Sequence, residues 1–527
     1  MVLSHKVALA VLLLSCLAPA AVSGKDYYVS PTGDDTRAGT SAEAAFRSLG
    51  KAAAGAAPGD VVHIAPGRYV ENVVVPSSGT KEASITFRRD GWGEVALTSP
   101  QPDPAAWDDK FVFRVDGKSH IVVEGITFRD CAAWILLRDA SHCVIRNCVF
   151  DGVRIYNAFR INSGSFNRIE GCDFKRAIQQ TGFREQEPWI PVPGADYIEI
   201  FRDSHNNLVQ GCRFGPITHT AVSVSAVEPK KFAPSHNIVR GNTFTDPQWK
   251  CLWFHAGPHN VFEDNVCSGA SAGFVQLEAP RSIIRRNVFR NYRDSTKGNP
   301  HIDLRGVMRF QYEGTQGNRI YNNLFVDNER TLTNNSWSGT VTDNLFKNNI
   351  FCNNAQTIFL GWPDYESRNR NVFQNNLIRG TEAGLKVVQI QRDKSYTLAD
   401  AQRLLPALFA DNIEAMPLFV DAAKADYRPA TTSPTIDAGA PLTVATAAGK
   451  GAVVPVEDPL YFCDGFGQID GDMVAVGDNA PARLVKVDYE ARTLTLDREV
   501  SWQDKAPVTL AFQGKAPDLG PFEARRE

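Results

Sequence analysis

The sequence predicts an all-β chain wound as a parallel β-solenoid, and three observations predict it. The first is a four-residue phrase that keeps returning. It reads Asn-Cys-Val-Phe ending at Phe150, Gly-Cys-Asp-Phe at Phe174, Gly-Cys-Arg-Phe at Phe214, Gly-Asn-Thr-Phe at Phe244 and Asp-Asn-Val-Cys at Cys267. It continues as Arg-Asn-Val-Phe at Phe289, Asn-Asn-Leu-Phe at Phe325, Asn-Asn-Ile-Phe at Phe351 and Asn-Asn-Leu-Ile at Ile378. Subtracting successive endpoints gives steps of 22 to 40 residues. A period with a floor and upward excursions means stacked coils with loop insertions. The second observation is that each unit holds two short strand patterns and turns, which cannot bury an apolar face alone and must stack on neighbours. The third is strict apolar/polar alternation in the second strand, which sends one set of side chains inward and the other outward.

Each segment follows in order. Met1–Gly24 reads as a secretory leader, with Lys6, an apolar run from Val7 to Leu17, then small residues. Leu13-Leu14-Ser15-Cys16 offers the alternative of a lipoprotein anchored through Cys16. Both place the mature chain outside the cytoplasm, secreted or periplasmic. Residues 25–60 form an N-terminal cap, with Ser41–Ala57 alanine-rich and helical in pattern, covering strand edges that would otherwise invite aggregation. Coils occupy residues 61–430, and 397–409 is helical in pattern. Insertions near Lys175–Ala195 and Asn291–Pro300 interrupt the coils, and solenoid insertions tend to decorate the binding face. Residues 431–527 form a small C-terminal β module and cap, expected on the C-terminal end of the solenoid.

The phrase resembles the repeat of the right-handed parallel β-helix proteins, the pectate-lyase-like fold, over roughly residues 60–430. The opening Tyr27-Tyr28-Val29-Ser30-Pro31-Thr32-Gly33-Asp34-Asp35 and the late Ser433-Pro434-Thr435-Ile436-Asp437-Ala438-Gly439 resemble the capping regions of secreted bacterial members. The resemblance implies a carbohydrate-active protein, because bacterial polysaccharide lyases use this fold. It also implies a lysine base and calcium held by acidic residues, as several such lyases have. The same fold hosts hydrolases, epimerases and non-catalytic glycan-binding surface proteins.

Bulk properties narrow the partners. The 527 residues carry a net charge of −3, which gives no pull toward nucleic acid, and no segment resembles a nucleic-acid module. Past the leader no stretch of ~18 uninterrupted apolar residues exists, so no membrane span is expected. A monomer acting on a polysaccharide is the expected form. Cys148, Cys172 and Cys212 fill one place in successive phrases, which reads as a ladder of buried free thiols. No Cys-x-x-Cys pair is present, which argues against zinc.

The histidines sort by the repeat. His120, His142, His205, His236 and His259 each precede the strand that carries the phrase and read as turn-formers. His219, His255 and His301 are left unexplained. Aligning the second strands gives the rows Phe159–Asn162, Ile198–Phe201, Val222–Ser225, Leu252–His255, Val275–Glu278 and Ile302–Arg305. One outward column is then Arg160, Glu199, Ser223, Trp253, Gln276 and Asp303; its neighbour is Asn162, Phe201, Ser225, His255, Glu278 and Arg305.

That face fits eliminative cleavage of a uronate polysaccharide, which needs a cation for the carboxylate, a base for the C5 proton and an acid for the leaving oxygen. The candidate catalytic residues are His255, His301, Arg305, Glu278 and Asp303. Tyr197, Tyr312 or an arginine can assist protonation. Substrate binding falls to Arg160, Glu199, Phe201, Trp253, Trp189, Arg184 and His219. Any calcium would sit on Glu199, Glu278 and Asp303, with no cofactor as the other expectation. Lys175 and Lys250 lie outside the aligned columns. Hydrolysis through Glu278 and Asp303 on adjacent coils is the alternative. Asn299-Pro300-His301-Ile302-Asp303 resembles the Asp-Pro-His motif of mannuronan C5-epimerases, without its first acid.

Overall fold

The computed structural model describes residues 24–102, 104–154, 157–177, 195–229, 231–247, 249–270, 273–293, 307–310, 314–334, 341–360, 370–390 and 394–524. The leader with Cys16 lies outside them. So do Arg184, Trp189, His301, Asp303, Arg305 and Tyr312.

Among the described residues the chain coils into three sheets of 14, 13 and 12 strands, parallel except where Lys394–Tyr396 pairs antiparallel with Val388–Ile390. Consecutive coils pair in register: Phe159 opposes Ile198, Ile198 opposes Val222, Val222 opposes Leu252, and Leu252 opposes Val275. Inward positions pack the core. Phe128, Phe150, Phe174, Phe214 and Phe244 form one interior column with ring centroids 5.0, 4.6, 4.7 and 4.7 Å apart. A second run stacks Phe289, Phe325 and Phe351 at 5.0 and 4.6 Å. Each buried ring contributes about 1.5–3 kcal/mol relative to exposure.

The polar half of the phrase is structural too. Asn265 Oδ1 accepts hydrogen bonds from the backbone N and Nδ2 of Asn242 at 2.9 and 3.0 Å, while its own Nδ2 donates to Val239 O. The pattern passes through Asn287, Asn323, Asn349, Asn376 and Asn412. Cys212 N donates to Asn242 Oδ1, so the cysteines occupy the start of the same ladder. Cys148, Cys172 and Cys212 are buried free thiols. The residue before each rung holds φ near +55°: Gly171, Gly211 and Gly241 do so without strain, and Asn147, Asn322 and Asn348 tolerate it.

The turn-formers need one correction. His120, His142, His236 and His259 all have positive φ, and His120 stacks on His142 and His142 on Phe166. His205 instead sits one place earlier: Asn206 takes the positive-φ position beside Phe166 and His236.

The N-terminal helix is shorter than the alanine-rich pattern predicts. It spans Leu49–Gly55, capped by Ser48 Oγ, and buries Leu49, Ala52 and Ala53. A second short helix, Leu398–Leu404, capped by Thr397, buries Leu398 and Ala401 beside the last coil. The 14-stranded sheet ends at Phe409–Ala410, and a hairpin of Phe419–Asp421 and Asp426–Pro429 follows.

The C-terminal module is a six-stranded antiparallel sheet. It lies against the flank of the solenoid and not on its end. Leu208, Ile238, Val261 and Ile283 point outward from successive strands of the 14-stranded sheet and pack against module residues such as Tyr461 and Leu484. Buried Arg285 clamps the junction, donating to both carboxylate oxygens of Asp472 at 2.6 and 2.7 Å and to Glu263 at 2.7 Å. Tyr427, Leu519 and Phe419 cover Val288, Leu324 and Ile350 on the 12-stranded sheet. Over the central coils, then, later segments cover the outer faces of two sheets. The third outer face, that of the 13-stranded sheet, carries the polar columns.

Candidate active site

The rows from Phe159 to Leu277 align as the alternation predicts, so Arg160, Glu199, Ser223, Trp253 and Gln276 form one outward column. The next row differs. Met308–Phe310 pairs with Val275–Leu277, and Arg309 opposes Gln276. The position across from Gln276, where the aligned rows expect Asp303, is held by Arg309. The expectations placed on His301, Asp303 and Arg305 fall outside the described residues, as do those on Arg184 and Trp189.

A third outward column lies two residues before the start of the aligned rows. Asp196 opposes Thr220, and Thr220 opposes Lys250. Lys250 thus belongs to the face, which corrects its exclusion. Lys250 and Asp196 are 5% and 1% exposed. Burying such charges is costly unless each finds a partner. Asp196 has His219 Nδ1 at 2.6 Å and accepts from Ser223 Oγ at 3.2 Å. The Lys250 ammonium lies 4.3 Å from the Trp253 ring and 5.0 Å from Trp249.

His255 completes the centre. Its ring is 4.9 Å from Trp253, and its Nε2 is 3.6 Å from Glu278 Oε2. Its side chain keeps 29% exposure, so it borders solvent while Glu278 beneath it does not. Burial, then the Lys250 charge, push the imidazole below its ordinary value. Burial pushes Glu278 up to about 7, against the opposing Gln276 hydrogen bond and Lys250 charge. Gln276 Nε2 donates to Glu278 Oε1.

Two coils toward the N-terminus a second cluster forms. Arg160 Nε is 2.9 Å from Glu199 Oε2, Ser225 Oγ donates to Glu199 Oε1 at 2.9 Å, and the Arg160 guanidinium lies 3.9 Å over Phe201. Burial pushes Glu199 up to about 7 despite Arg160. Glu199 and Glu278 stand three strands apart, about 14 Å. They are too far apart to share one ion, and Asp303, the third residue of the expected calcium set, lies outside the described residues. Among the described residues no group of three or more His, Cys, Asp or Glu side chains is arranged to hold a metal. Tyr197 does not reach the face either: it packs in the interior against Trp134 and Phe174, its hydroxyl donating to Pro216 O.

Sequence reasoning missed Asp196, Lys250 and Arg309. The four-residue rows began too late for the first two, and a row placed at Ile302–Arg305 stopped short of the third.

This arrangement defines a parallel β-helix with one polar, partly buried outer face. The chain belongs to the right-handed β-helix family, whose description is "Right handed beta helix region" and which matches residues 112–289 and 232–395. A curated relative, "Uncharacterized protein YwoF" of Bacillus subtilis (strain 168), is 36% identical over 108 residues, covering 20% of this chain and 23% of the relative. Similar solved structures include pectate lyase Pel9A, at 15% identity and TM-score 0.42 over 95% of this chain and 97% of that one. A PL6 family polysaccharide lyase from Pseudopedobacter saltans is 17% identical, TM-score 0.42, over 73% and 94% of the two chains. PfbA, a surface adhesin of Streptococcus pneumoniae, is 12% identical, TM-score 0.40, over 66% and 88%. These are likenesses of fold. Among the described residues no helix is long and apolar enough to cross a membrane.

Proposed function

We propose that the protein cleaves an acidic, uronate-containing polysaccharide by β-elimination on the outer face of the 13-stranded sheet. The observation that carries this is the meeting of His255, Glu278, Lys250 and Trp253 on adjacent coils. Elimination at a uronate requires that the C5 proton be removed while the carboxylate charge is offset. His255, held below its ordinary pKa by burial, is neutral near neutral pH and accepts the proton. Glu278 beside it stabilises the imidazolium that forms. Lys250, and Arg309 two strands further on, supply positive charge for the substrate carboxylate. Trp253 offers a ring face for a sugar, and Arg160 with Phe201 extends the face toward further units.

Hydrolysis through Glu278 and Asp303 is the second reading, and Asp303 lies outside the described residues. Among the described carboxylates of this face, Glu199 and Glu278 are about 14 Å apart by strand spacing, beyond the roughly 5–9.5 Å that hydrolysis needs. Export from the cytoplasm accompanies the proposal, because polymeric uronates are extracellular substrates.

The test is His255→Ala assayed against acidic polysaccharides. Turnover should fall by roughly 10²–10⁴ with glycan binding nearly unchanged. Full retained activity would remove His255 from the chemistry.

A further inference from the structure

His219 is set differently from His255, the other described histidine on this face. Its Nδ1 lies 2.6 Å from Asp196 Oδ1, and Asp196 is 1% exposed. A carboxylate only accepts, so Nδ1 carries the hydrogen and Nε2 is the nitrogen whose proton can be exchanged. Asp196 is itself fixed by Ser223 Oγ and by its place at the start of a strand paired with Thr220. A histidine oriented this way by a buried carboxylate is held in one tautomer, and its imidazolium charge is offset in place. The ring meets Trp253 edge-on at 5.9 Å and Trp249 at 5.0 Å. Trp253 meets His255 at 4.9 Å. One indole therefore meets both imidazoles, His219 from the bend before its strand and His255 from the end of the next, on the outer side of the same sheet.

We propose that His219, positioned by Asp196, is the general acid for the leaving oxygen while His255 is the base, and that the elimination is syn. This rests on the eliminative reading given above. The C5–H bond breaks, its proton passes to His255, and its electron pair becomes the C4=C5 π bond. The C4–O4 bond breaks with its pair on O4, which takes the proton from His219 Nε2. His255 ends as imidazolium and His219 as neutral imidazole, and exchange with solvent resets both. A sugar resting on Trp253 meets both groups from below. The substrate must then carry H5 and O4 on the same side of the ring. D-Mannuronate and D-glucuronate residues do; D-galacturonate and L-guluronate residues carry them on opposite sides.

The test compares four homopolymers with a uronoside bearing fluoride at C4, whose leaving group needs no proton. Wild type should cleave polymannuronate or polyglucuronate faster than polygalacturonate or polyguluronate. His219→Gln should lower polymer turnover by roughly 10²–10⁴ yet stay within about tenfold of wild type on the fluoride. His255→Gln should lower both. Asp196→Asn should lower polymer kcat with KM little changed and also spare the fluoride, a pattern that a merely structural role would not produce. It carries the same test if His219→Gln does not fold. Preference for galacturonate or guluronate, or equal losses of His219→Gln on polymer and fluoride, would overturn the inference and leave the eliminative reading standing. No unsaturated product from any substrate would overturn both.

Discussion

His255 Nε2 stands 3.6 Å from Glu278 Oε2, the two groups contributed by successive strands of one sheet. The pair sits where solvent meets a buried polar layer, with Lys250 and Trp253 beside it. Such a placement concentrates titratable groups whose environments push them away from ordinary values, a pattern typical of working sites.

That relationship makes a pH prediction. Glu278 is raised from 4.5 to about 7, and Glu199 likewise. Between those values the folded state holds protons that the unfolded chain has released, so stability falls as pH rises through the window. Glu278→Gln removes one such group. Its melting temperature should decline less between about pH 5 and about pH 7 than that of wild type, as followed by circular dichroism. An equal or steeper decline would count against a raised Glu278.

The phenylalanine column predicts a cavity cost. Phe214 stacks between Phe174 and Phe244 at 4.7 Å on each side and is 1% exposed. Phe214→Ala should lose about 3–5 kcal/mol of unfolding free energy in a denaturant titration. A loss below about 1 kcal/mol would be inconsistent with a close-packed interior.

The module junction predicts a local failure. Despite burial, the guanidiniums of Arg285, Arg286 and Arg240 hold Glu263 down at about 2. Arg285→Met leaves Asp472 without its guanidinium partner and Glu263 with Arg286 and Arg240 alone, which should cost about 3–5 kcal/mol. Limited proteolysis should then release the 442–511 region from an otherwise protected solenoid. Unchanged protection would show that the apolar contacts of Leu208, Ile238, Val261 and Ile283 suffice alone.

Much of the fold was legible because the repeat is both chemical and geometric. Phe150, Phe174, Phe214 and Phe244 recur where the coil turns inward, and asparagines recur where the backbone needs a side-chain rung. The face was legible from Arg160 to Glu278 because alternation fixes inside and outside. It failed at the next coil: Ile302-Asp303-Leu304-Arg305 and Met308-Arg309-Phe310 alternate equally well, and only hydrogen-bond register chooses between them. Asp196 and Lys250 were missed because a polar residue at a strand's start looks like a turn until its partner strand is known. The docking of the module had a readable signal. Leu208-Val209, Ile238-Val239, Val261-Phe262 and Ile283-Ile284 each place two apolar residues side by side, one inward and one needing a cover.

The most direct measurement is a parallel time course of ultraviolet absorbance and new reducing ends during incubation with acidic polysaccharides. Elimination at the His255–Glu278 face predicts one conjugated C4=C5 double bond for every new reducing end, and His255→Ala should abolish both signals together. Reducing ends that appear without absorbance would contradict the account.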